Sequence, residues 1–356
     1  MKDIEKLDAS IKGNNNEIIQ NGVVNNYGMN YVETKALCTD LIRQEISKLS
    51  EEAAKEARKR EERLNDKLFE LLQSIKLSDK DALKELKNPD MQYSFIEAQM
   101  ANIRVGTNEL ENILSNLLKE RILEQERTTL QIALSEAIKV SPLLLPAHLN
   151  ILSLVFIFKY TVRNNIVNEQ SFTEYFQRIL SSCLSGITDD NTLYQHIEYS
   201  KCGTLSVLSY DISNIIKQSY SGLFMKGFTK EEFDSQIEDE HVLQKYPKLL
   251  INHLRYNNLL QINSISENAL KQNLVEHGLE EKQIEKIINF FNQNILSDNE
   301  IKQRIIELVP QFREFINLWE NSMNQLQLTS VGIILGAINL KNLIGENYNM
   351  KIWIKS

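Results

Sequence analysis

Glycine and proline are scarce in this 356-residue chain, with 12 and 5 copies. That scarcity argues against a fold of many tight turns and for long periodic helices. Cysteine is scarcer still: Cys38, Cys183 and Cys202 are far apart and odd in number. No disulfide framework follows from them, and a reducing cytoplasm is the expected setting. A long apolar run is also missing. The most apolar window, Leu143 to Tyr160, is interrupted by Pro146, His148, Asn150 and Lys159. Its clean stretch falls far short of the roughly 20 residues that cross a bilayer, so a buried core helix and no membrane span are expected. The polar opening MKDIEKLDASIKG has no apolar core of a signal peptide. Positive charge is in deficit, with a formal net charge of −8. That argues against a sequence-independent grip on nucleic acid, which needs cations to displace counterions.

Motifs of catalysis are missing as well. The five histidines (His148, His196, His241, His253 and His277) form no HExxH, and no CxxC, GxSxG or GxxxxGK[ST] occurs. His196 and Cys202 are too few to make a metal site. No catalytic, cofactor-binding or metal-binding residue and no cofactor is assigned.

What is present is a mainly α chain in four parts. Residues 1–30 are an Asn-rich β tip. Asn21-Gly22 marks a hairpin turn between short apolar arms. Such a hairpin buries too little by itself. Ile18, Ile19, Val23 and Val24, with Asn25, Asn26 and Tyr27, are therefore expected to order by stacking with other copies of the chain. Residues 31–76 read as one long coiled-coil-like helix. Its narrow stripe includes Ile42, Ile46, Leu49 and Ala53 as candidate homo-oligomer contacts. The mixed-sign run KEARKREERLNDK (Lys55 to Lys67) reads as a solvated face.

Residues 77–225 carry closely spaced helix signals and are expected to form a helical bundle with short connections. Asn88-Pro89, Thr107 and the Ser171/Glu174 pair mark helix starts there, and Gly106 a helix end. Leu205 to Ile216 reads as an apolar helix with some strand character. Residues 226–356 read as a winged-helix-like α+β module. In it, Leu326–Leu328 pairs with a closing strand in which Met350, Ile352 and Ile354 share a face. Its candidate recognition helix, Ser330 to Leu343, has Lys341 as its sole base. A contact or structural role fits it better than DNA.

The pieces GNNN…VVNNYG (from Gly13 to Gly28), SEEAAKEARKR (Ser50 to Arg60), Glu97-Ala98-Gln99, LTSVG (Leu328 to Gly332) and IWI (Ile352 to Ile354) resemble an uncharacterised bacterial family that joins an Asn-rich tip to a helical body. The body, with its Thr107 to Leu118 helix and LTxxG piece, is similar in layout to the Abi-alpha abortive-infection proteins. The resemblance implies defence against bacteriophage, with a phage component as a protein partner, and carries over no catalytic residue. The expectation is a self-assembling, non-enzymatic sensor or scaffold. The alternatives are a nucleic-acid binder acting through the C-terminal module and a toxic effector enzyme with a site in the bundle.

Overall fold

The computed structural model describes residues 31–78, 82–239 and 241–355. The expected tip, with Ile18, Ile19, Val23, Val24, Asn25, Asn26 and Tyr27, lies outside the described residues. Within them the chain is mainly helical, with sixteen α-helices and four three-residue strands.

The expected single long helix is two: α1 (Tyr31–Ile46) and α2 (Glu51–Ser78). The break falls at Ser47 to Ser50, with neither glycine nor proline. There the Ser47 hydroxyl donates to the Gln44 carbonyl at 2.8 Å, and Leu49 N–H closes a tight turn on Ile46. Serine side chains compete with the helix for backbone partners. Glu51 and Glu52 then favour a fresh helix N-terminus. The stripe Leu64, Leu68, Leu72 and Ile75 is buried in the chain's own core. It faces α3 (Pro89–Val105) and α4 (Asn108–Leu123) rather than another chain's helix.

The body continues through α5 (Thr129–Val140), α6 (Pro146–Tyr160), α7 (Glu169–Cys183) and α8 (Asn191–Tyr199). Strand β1 (Gly203–Leu205) and α9 (Ile212–Tyr220) replace the helix expected from Leu205. A second, smaller core then begins at Met225. It is built by α10 (Lys230–Ile237), α11 (His241–Lys245), the hairpin β2 (Leu250–Asn252) and β3 (Leu260–Ile262), α12 (Glu267–Glu276) and α13 (Glu281–Gln293).

The chain then returns. Its last helices, α14 (Asp298–Leu308), α15 (Phe312–Asn321) and α16 (Ser330–Ile344), belong to the first core. Residues 226–356 are therefore not one module. About 70 of them are an insert whose entry and exit are paired: Met225 bridges Ile295, Lys226 N–H donates to Asn294, and Leu296 N–H donates to Phe224.

The winged-helix-like arrangement is not formed either. Strand β4 (Leu326–Leu328) pairs antiparallel with β1, and Met350–Ile352 is a 3-10 turn. Met350 and Ile354 are buried while Ile352 is 62% exposed. A spacing of four fits one helical turn as well as it fits alternate strand positions. Asn349 caps the turn, and the Trp353 indole donates to the Tyr160 carbonyl at 2.7 Å.

Helix α16 is the centre of the body, not an exposed recognition helix. Residues Gly332 to Leu340 are all buried. It lies directly against α6 and the chain just before β1, because two glycines remove the side chains that would hold them apart. A Cβ at Gly332 would stand 1.8 Å from the Cys202 carbonyl oxygen, and one at Gly336 would stand 2.7 Å from that of Leu152. Asn339 donates to Asn150 and Ser153 across the contact with α6, so its buried amide is satisfied.

Candidate functional site

The candidate site is the arm formed by α1 and the first turns of α2. Ile42 and Ile46 are 1% and 3% exposed. With Ala54 and Ala57 they form a small core against Met100 and Ile103 of α3, separate from the main one. Two of the expected assembly residues are thus used within the chain. Leu49 and Ala53 remain exposed, as does Leu41 beside them. At the elbow between the helices lies an open groove of about 500 Å³. Ile46, Leu49 and Ala54 form its apolar wall, with Ser47 beside them and Glu51, Lys55 and Arg58 on its rim.

What fastens the arm to the body is the run expected to be a solvated face. Arg60 donates to the carbonyls of Ile103 (2.9 Å) and Arg104 (3.3 Å), and Arg63 donates to that of Gly106 (3.0 Å). These are carbonyls at the C-terminal end of α3, where cations are favoured. Arg63 and Lys67 also pair with the buried carboxylate of Glu111 at 2.7 and 3.5 Å. The sequence reading missed this because the partners are more than 40 residues away. Within Lys55 to Lys67 basic residues outnumber acidic ones, and that was the one local sign.

The clusters of titratable groups elsewhere are braced rather than poised. His148 and His196 stack at 4.8 Å. His148 Nδ1 accepts from Leu145 N–H at 2.9 Å, and His196 Nε2 contacts the Leu143 carbonyl at 2.8 Å. Burial, and then the neighbouring His196, pushes the His148 imidazole down to about 4. Both rings therefore tie the start of α6 to α8. The Cys183 and Cys202 thiols are buried and pushed up to about 12. Neither supplies thiolate near neutral pH.

Glu346, also buried, is held between Arg163 (3.1 Å) and Arg178 and accepts from the Tyr348 hydroxyl at 2.8 Å. Burial, with the Glu346 charge second, holds the Tyr175 hydroxyl well above its ordinary value. At the junction with the insert, Arg304 grips Glu169 through Nε (3.1 Å) and Nη2 (2.6 Å), and Arg255 of the insert approaches the same carboxylate at 3.7 Å. Among the described residues no group of three His, Cys, Asp or Glu side chains is placed to hold a metal ion. Among them, too, no helix is long and apolar enough to cross a membrane.

Neither the curated proteins nor the solved structures contain a match to this chain. A protein-family model matches residues 28–354, from the edge of the Asn-rich stretch to the closing turn, and the chain belongs to that uncharacterised family.

Proposed function

We propose that the chain is a self-assembling protein without catalytic activity, whose helical body serves as a docking surface, and that it acts as a sensor or scaffold in bacterial defence against phage. The observation that supports assembly is the arm. Its private core is only four residues of two helices against two of α3. Its other side leaves Leu41 and Leu49 more than 40% exposed beside an open groove with an apolar wall and a charged rim. Exposed leucines on an element with so small a core are the kind of surface that a second copy covers. The defence role is proposed from the resemblance of the sequence to the Abi-alpha proteins.

Mass photometry on the full chain and on residues 31–356 tests the assembly. The full chain is expected to give multiples of the single-chain mass, and Leu41→Asp with Leu49→Asp to lower them. A single-chain mass for the full chain at micromolar concentration sinks the reading. Plating efficiency of phage on cells with and without the gene tests the defence role. Equal plaque counts across a broad phage panel count against it.

A further inference from the structure

The segment that joins β1 to α9 is displayed to solvent and tied down at both ends. Ser206 N–H donates to the Gln325 carbonyl at 2.9 Å, and Leu205 N–H to Glu198 Oε1 at 3.1 Å. At the other end the Tyr210 carbonyl accepts from the Trp319 indole at 2.7 Å, and Asp211 caps α9 through Ser213 N–H at 2.8 Å. Between these anchors Val207 is 99% exposed and Leu208 67%, with Tyr210 at 46%. From Gly203 to Tyr210 there is no charged residue. The loop is anchored at both ends and holds two adjacent aliphatic side chains in water.

Beneath the loop stands Lys159, at the end of α6. Its Nζ donates to the carbonyls of Asn324 (2.7 Å) and Leu326 (2.9 Å) and lies 5.0 Å from the Tyr210 ring and 5.5 Å from the Trp319 ring. An ammonium carries three donors, so one is left over. No carboxylate pairs with Lys159 among the described residues. The two nearest by chain are Asp211, next to Tyr210, and Glu320, next to Trp319. Both are taken by Lys302, at 2.8 and 2.6 Å. Burial without a compensating charge pushes Lys159 down to about 8. A half-buried cation, held by two carbonyls and two rings but by no carboxylate among the described residues, thus sits under an uncharged tip.

We propose that this tip and the Lys159 ammonium form a docking site for an acidic–apolar segment of a partner protein, which gives a carboxylate to Lys159 and aliphatic side chains to Val207 and Leu208. One cation calls for one carboxylate. A nucleic-acid backbone would call for a row of them. A bilayer would need a wider apolar face than two side chains give. The proposal rests on the body being a docking surface, but not on the arm. A chain that stays monomeric can still bind the peptide, and an oligomer can fail to.

The experiment is selection from a displayed random peptide library on the full chain, followed by fluorescence polarisation with the enriched peptides. Asp or Glu beside two or more of Leu, Ile, Val and Phe is the expected enrichment. Val207→Ser with Leu208→Ser, at positions open to solvent, is expected to weaken binding by about tenfold or more. Lys159→Met is expected to do the same, and Asp→Asn in the peptide to abolish the difference between the parent chain and the Lys159→Met variant. If Lys159→Met does not fold, the loop pair and the peptide change still decide. Enrichment of neutral or basic peptides, affinity indifferent to the loop pair, or no enrichment overturns the proposal. So does loop-dependent binding to phosphatidylcholine–phosphatidylserine vesicles without peptide binding.

Discussion

Arg121 offers the sharpest test of how the body is held together. Its side chain is fully buried, and it reaches four acceptors: Glu85 at 2.8 Å, Asp90 at 2.7 Å, the Ser135 hydroxyl at 3.2 Å and the Glu124 carbonyl at 3.3 Å. Asp90 is 48% exposed and can return to water if the arginine is lost, but Glu85 is 8% exposed and cannot. Arg121→Ala therefore leaves one buried carboxylate without a counter-charge, with the Asn88 amide still donating to it at 2.8 Å. Removing one partner of a buried pair costs about 3–5 kcal/mol. With a urea dependence of about 3 kcal/mol per molar for a body of this size, the unfolding midpoint should fall by about 1 M or more. Both tryptophans, Trp319 and Trp353, lie in or against the first core, so their fluorescence reports the body and not the insert. Arg121→Met combined with Glu85→Met removes both charges and should recover most of the loss, because an apolar pair of similar volume is often no worse than the ion pair. A single-variant loss below about 1 kcal/mol, or a double variant as unstable as the single one, would refute the reasoning.

Other outcomes follow from the same geometry. Gly332→Ala has to move the backbone at Cys202 and should cost more than Gly345→Ala in space, since nothing lies near a Cβ at Gly345; thermal melts of Gly332→Ala alone should fall by several degrees. His148 is neutral in the fold, with a pKa near 4 against an ordinary 6.5. A lowered imidazole contributes fully above its unfolded value, so stability should fall as the pH drops from about 6.5 to about 4. His148→Leu should flatten that part of the urea-midpoint profile, and an unchanged slope would contradict it. Replacing residues 226–294 by two or three glycines should leave the body folded, because the insert's ends already meet in a bridge. Loss of cooperative tryptophan unfolding in that variant would show that the two cores are interdependent.

Local features were legible in the sequence to a large degree. Thr107 caps its helix as its side chain requires, Gly106 takes a φ of +71° at the end of α3, and the apolar helix from Pro146 is buried. Elsewhere two solutions shared one pattern. Met350 and Ile354 suit a strand or a turn, and the Asn349 cap and the Trp353–Tyr160 contact favour the turn. The stripe on α2 suits a partner helix from either the same chain or another, and α3 and α4 arrive within 30 residues to claim it. Ser50 sits at a helix start in a stretch without glycine or proline, so the break left only a weak mark. Pairings across long separations, such as β1 with β4 and Lys302 with Asp211, leave no local signal at all. The contact surface was missed for a similar reason. Gly203 to Tyr210 carries no charge and alternates apolar with small polar residues, a pattern that does not mark it as exposed.

The central position of α16 has a bearing on how the chain is born. Helix α6 leaves the ribosome about 170 residues ahead of the helix that lies against it. At about 5–20 residues per second, its apolar surface waits roughly 10–35 s for its mate. During that interval α7 and α8 can cover part of α6, and the face that α16 takes in the finished fold stays open to water until the last helix emerges.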